Sequence, residues 1–137
     1  MNHADLVSRA TRWLRNTLHC RVVLSELVTA AWETPDAVGW VGTTCIVVEC
    51  KTSRSDFRAD AKKFFRQMPK HGVGDWRFYL TAPGLLDGLT LPDGWGWYEV
   101  RGRSVVHRGG ETYTNMGFPP HQSRESRDRY AGIGTGT

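Results

Sequence analysis

The segment Cys45-Ile46-Val47-Val48-Glu49-Cys50-Lys51 constrains this chain more than any other. Its first four residues are apolar in succession, so a strand here needs cover on both faces and belongs in the middle of a sheet. Glu49 follows directly. A carboxylate in such a strand is costly to bury unless it is paired or bound to a metal ion. Lys51, two residues on, points to the same side of the strand. Either it forms an ion pair with Glu49 or the two serve a common site.

The residues before this strand narrow the choice. Asp36 to Val41 reads as a neighbouring strand, joined to the central one around Gly42-Thr43. With a two-residue turn and Gly42 first, Val41 pairs with Thr44. Counting back then puts Asp36 opposite Glu49, on one face with Lys51. A loop one residue longer would break that register. Asp36 also follows Pro35, and an Asp there suits a plain turn.

Around this hairpin the periodicity predicts a helix over Asp5 to Leu18, with Leu6, Ala10, Trp13 and Leu14 on one face and Arg9, Arg12, Arg15 and Asn16 largely on the other. Arg21 to Leu27 reads as the first strand. Ser55 to Met68 reads as a second helix, capped by Ser53 or Ser55 and closed by Pro69. Phe57, Ala61, Phe64, Phe65 and Met68 form its stripe. Trp76 to Ala82 is a further strand, and Trp95 to Val100 with Ser104 to His107 form a hairpin around Arg101-Gly102. The order is α-β-β-β-α-β-β-β, which predicts an α/β fold with a mixed central β-sheet flanked by helices. Residues 1–108 form the expected domain. Residues 109–137 read as a polar, partly flexible extension, with a short charged helix over Gln122 to Tyr130.

Composition adds limits. A chain of 137 residues suits one domain. A formal charge of +4 fits a polyanionic partner but does not single one out. Three cysteines without metal-type spacing suggest buried thiols in a reducing compartment, and the five histidines show no zinc pattern. The polar start at Met1 to Ala10 and the lack of any apolar run near the roughly 20 residues a bilayer requires point to a cytoplasmic, non-membrane protein.

Two acids on adjacent strands with a lysine beside them suit phosphodiester hydrolysis. Mg²⁺ binds through one or two carboxylates, waters and substrate phosphate, and an ammonium can orient water or stabilise the charge on phosphorus. Pro35-Asp36 with Glu49-Cys50-Lys51 resembles the PD-(D/E)XK nuclease superfamily. The longer run Val47-Val48-Glu49-Cys50-Lys51-Thr52-Ser53-Arg54-Ser55-Asp56-Phe57, with Asp60 and Lys62 and then Trp76-Arg77-Phe78-Tyr79, looks like its MmcB-like DNA-repair branch.

The resemblance spans Asp5 to Val100. It implies a restriction-endonuclease-like core and a DNA endonuclease using Mg²⁺ or Mn²⁺, leaving 5′-phosphate and 3′-hydroxyl ends. DNA repair, recombination and the processing of phage or mobile-element DNA are the settings it suggests. Asp36 and Glu49 would bind metal with the Cys50 carbonyl, and Lys51 would be the catalytic lysine. Glu26, at the end of the first strand, would add an acid through water, with Glu33 as a competitor. Gln67 is where some superfamily members place a glutamine.

Other residues carry two readings. Ser53 and Asp56 either cap the second helix or support the site. Arg58 and Lys62, with Lys63 and Arg66, form either a solvated face or phosphate contacts. Trp95, Trp97 and Tyr98 either pack or stack on bases. The expected partner is duplex or branched DNA, with a homodimer possible. The competing functions are a non-catalytic DNA-binding protein on the same fold and a protein-interaction module presenting an exposed aromatic hairpin.

Overall fold

The computed structural model describes residues 1–26, 34–63 and 74–114. Its elements follow the expected order: α1 (His3–Asn16), β1 (Val22–Ser25), β2 (Ala37–Val41), β3 (Thr44–Lys51), α2 (Arg54–Ala61), β4 (Trp76–Thr81), β5 (Trp95–Arg101) and β6 (Ser104–Gly110). The six strands form one mixed sheet in sequence order. Pairing is antiparallel from β1 to β3, parallel across β3, β4 and β5, and antiparallel again from β5 to β6. The fold is therefore mixed α/β with a six-stranded sheet. Among the described residues no helix is long and apolar enough to cross a membrane.

Strand alternation sorts the core into two layers. Ile46, Val48 and Cys50 of β3 face the same way as Phe78, Leu80, Tyr98 and Val100, and α1 packs Leu6, Ala10, Trp13 and Leu14 on them. Val47 faces the other way with Val38, Tyr79, Trp95 and Trp97, where α2 contributes Phe57. The apolar run of β3 thus fills both layers, as a central strand must.

Helix α1 starts two residues before its expected position. Asn2 caps it reciprocally with Asp5, each side chain accepting the other's backbone N–H. Strand β1 ends at Ser25, and Glu26 then takes a left-handed conformation with φ 57°. The second helix is described to Ala61; its expected continuation to Met68 lies outside the described residues. Arg101 pairs with Ser104, so the last hairpin turns on Gly102-Arg103, one residue later than expected. Strand β6 runs to Gly110, and Tyr113 packs on Trp76 at 5.4 Å between ring centroids. The sheet therefore extends to Gly110. The expected helix over Gln122 to Tyr130 lies outside the described residues.

Candidate functional site

The turn between β2 and β3 holds two residues, with Gly42 at φ 61° in its first central position. Val41 pairs with Thr44 and Ala37 with Val48. The same register places Asp36, just before β2, beside Glu49. Their side chains share a hydrogen bond. Asp36 Oδ2 accepts the Cys50 backbone N–H at 2.8 Å, and Asp36 Oδ1 lies 3.2 Å from His3 Nε2 at the start of α1. Two acids thus meet at the C-terminal end of the central strand, and one of them is tied to the backbone of β3.

Glu49 is 4 % exposed. Burial, with the charges of Asp36 and Asp60 and the shared hydrogen bond, pushes its carboxyl up to about 9 against the opposing pull of Lys51. Lys51 emerges on the same face. Its ammonium lies 3.4 Å from Asp60 Oδ1, with side-chain exposures of 13 % and 4 %. Asp60 also accepts the Tyr79 hydroxyl at 3.1 Å and lies 3.5 Å from Lys63 Nζ. The expected Glu49–Lys51 proximity is present as an electrostatic interaction, but the close ion pair of Lys51 is with Asp60.

Asp60 carried no assigned role from sequence. A signal for it existed, since it sits three residues after Phe57 on the inward stripe of α2, an unusual place for an acid. His3 gave no such signal, because its approach to Asp36 depends on how α1 packs.

Cys50 contributes its backbone, while its thiol is buried under α1. Glu26 is exposed, and its backbone N–H donates to the Asp36 carbonyl at 3.1 Å. Ser53 caps α2 by accepting the Asp56 N–H at 3.1 Å, and Asp56 lies exposed in the first turn. Arg58 and Lys62 are exposed near the end of α2. Gln67 and Glu33 lie outside the described residues. Trp95, Trp97 and Tyr98 are at most 7 % exposed. Trp95 stacks on Tyr79 and Tyr98 packs edge-on to Phe78. These three aromatics are core, so the β5–β6 hairpin does not present them at the surface.

Lys51, Thr81 and Glu99 are aligned across the parallel strands, so a second charged cluster adjoins the first. Glu99 is fully buried. It accepts the Gly84 N–H at 2.8 Å, contacts Arg101, and takes Arg108 Nη1 on both oxygens at 2.9 and 2.8 Å. A register shift opposite Trp97 and Tyr98 leaves Arg108 as the extra residue of β6. Its guanidinium lies over the Trp97 ring and also reaches Asp87 at 2.8 Å. Burial alone would raise the Glu99 carboxyl, but the Gly84 N–H and the two arginines outweigh it and hold it down at about 2.

Among the described residues no group of three or more His, Cys, Asp or Glu side chains is gathered closely enough to cage a metal ion. Asp36 and Glu49 nevertheless fit a hard cation. They form an oxygen-only pair in which the proximity of Asp36 and burial disfavour the ionised form of Glu49, a cost that a bound cation would offset.

No family model and no curated protein matches this chain. Among solved structures it is similar to SPO1766, a protein of unknown function from Silicibacter pomeroyi. The two are 21 % identical, the match covers 98 % of this chain and 93 % of that one, and the TM-score is 0.60. A likeness at that identity is one of fold.

Proposed function

We propose that this chain is a divalent-metal-dependent DNA nuclease of the PD-(D/E)XK type, on a restriction-endonuclease-like core close to the MmcB-like branch. The observation that carries the reading is the pairing of Asp36 with Glu49 at the end of the central strand, with the Lys51 ammonium on the same face. A buried acid held against a half-buried one is expensive to maintain for the fold alone. Asp36, Glu49 and the Cys50 carbonyl would hold Mg²⁺ or Mn²⁺. The ion, when bound, would neutralise phosphoryl charge and lower the pKa of a coordinated water. Lys51 orients that water or stabilises charge on the phosphoryl oxygens, and Asp60 holds its ammonium in place. Arg58 on α2 and Lys62 at its C-cap are exposed and would meet backbone phosphates.

The test is cleavage of nicked, branched, single-stranded and duplex DNA with Mg²⁺ or Mn²⁺. Wild type cuts at least one of these substrates, and Lys51→Ala and Glu49→Ala do not, while all three proteins bind DNA. No scission by wild type on any substrate with either metal would sink the proposal, as would full scission by an Asp36→Ala/Glu49→Ala double variant.

A further inference from the structure

We propose that a cleft between α1 and the β5–β6 turn binds backbone phosphates of a nucleic acid, apart from the acid cluster. The cleft has a volume of about 530 Å³. Arg9, Arg12 and Asn16 line one wall at helical spacings of three and four, Arg103 and Ser104 line the other, and the largely buried Trp13 lies between them. No acidic residue contributes to its lining.

These three arginines converge on one concavity without partners of their own. Arg54 donates to the backbone carbonyls of Leu85 and Asp87, and Arg101 and Arg108 are bound to Glu99. Among the described residues Arg9, Arg12 and Arg103 form no ion pair or hydrogen bond. Three guanidinium groups around one concavity repel each other, and an anion between them offsets that repulsion. The planar donor fork of arginine matches phosphate oxygens, and Ser104 and Asn16 can add neutral hydrogen bonds.

The position along α1 favours a polymer over a small anion. At about 1.5 Å per residue, Arg9 and Arg12 stand roughly 9 and 14 Å along the helix from His3, which touches Asp36. A strand advancing about 3.4 Å per nucleotide covers that distance in three to four steps. One nucleic acid that passes Asp36 at the start of α1 would then reach the cleft as well. That last step rests on the nuclease reading, whereas phosphate binding in the cleft does not.

The experiment is fluorescence anisotropy with labelled DNA of about 20 nucleotides, single-stranded and duplex, in EDTA over a salt series. Relative to wild type, Arg9→Ala/Arg12→Ala/Arg103→Ala should bind about tenfold more weakly or worse, with a salt slope shallower by close to 3. Should the triple variant fail to fold, Arg103→Ala alone, on an exposed turn, should still lower the slope by close to 1. Unchanged affinity and slope would overturn the proposal. So would wild-type protein that binds inorganic phosphate as tightly as it binds the DNA, since that marks a small-anion pocket. EDTA removes metal-dependent cutting from the measurement. Arginine-dependent binding without any cleavage therefore sinks only the nuclease reading, and cleavage with arginine-independent binding sinks only this one.

Discussion

The Lys51 ammonium and the Asp60 carboxylate lie 3.4 Å apart, one at the end of the central strand and the other on the inward face of α2. The pair couples helix and sheet at the proposed site. Removing the acid leaves a largely buried ammonium without its close counter-charge. Asp60→Ala is therefore expected to destabilise the fold by about 3 kcal/mol, read by urea unfolding. Asp60→Asn retains the shape and a hydrogen-bond acceptor but lets Lys51 wander. It should lower kcat for DNA cleavage about 10- to 100-fold and leave KM nearly unchanged. Equal losses in binding and turnover would show that Asp60 does not act by positioning Lys51.

Glu49 provides a separate stability test. Its carboxyl is pushed up to about 9, chiefly by burial and then by Asp36 and Asp60, whereas an unfolded chain gives up this proton near pH 4.3. Between those values the metal-free fold retains a proton that the unfolded state releases. Stability is therefore fully present below about pH 4 and is lost as pH rises toward 9. Glu49→Gln cannot ionise. In EDTA it should match wild type near pH 4 and exceed it by on the order of 3 kcal/mol at pH 7. Parallel unfolding curves across that range would mean that the acid is not held protonated. The same variant loses cleavage, a trade of activity for stability expected where charges are buried for function.

How much of this was legible in the sequence depends on the range of the interaction. The meeting of Asp36 with Glu49 followed from a local rule, because a two-residue turn with Gly42 first fixes every pairing back along β2. The two-faced burial of β3 followed from its unbroken apolar run. The partners of Lys51 and Glu99 did not follow. Asp60 reaches Lys51 only after α2 folds back on the sheet. Arg108 reaches Glu99 only because β6 carries an extra residue there, and no spacing rule anticipates that irregularity. The aromatics Trp95, Trp97 and Tyr98 admitted packing or stacking on bases, and burial decided for packing.

Glu99 predicts the behaviour of the fold in acid. Its carboxyl is held at about 2 because the Gly84 N–H, Arg101 and Arg108 outweigh the cost of burial. The unfolded chain binds the proton near pH 4.3. The stabilisation is thus present above that value and is lost as pH falls through about 2. Wild type should lose stability across this window more steeply than Glu99→Gln, which has no charge to lose. At pH 7 wild type should be the more stable of the two, since Gln cannot replace a carboxylate facing two guanidinium groups, and the gap closes as the pH falls. Acid titration followed by tryptophan fluorescence checks this, and identical acid limbs for the two proteins would refute it.

The residues that follow β6 are secured by a close backbone approach at Gly96. Gly96 pairs with Gly110, and the Glu111 N–H then donates to the Trp95 carbonyl at 3.2 Å. A Cβ on Gly96 would stand 2.0 Å from the Glu111 carbonyl oxygen and 2.8 Å from the Phe78 ring. Backbone must move to admit it, and the Phe78 ring is fixed in the core. Gly96→Ala is therefore expected to cost about 1–3 kcal/mol and to loosen the segment that carries Tyr113. Gly42→Ala meets no atom within 4 Å and is strained only by its φ of 61°, so it should cost about 1 kcal/mol and leave that segment in place. Hydrogen exchange at residues 111–113 separates the two mechanisms. Faster exchange there in Gly96→Ala alone is the expected result, and equal protection in both variants would mean that the close approach of Gly96 to Glu111 does not hold the segment down.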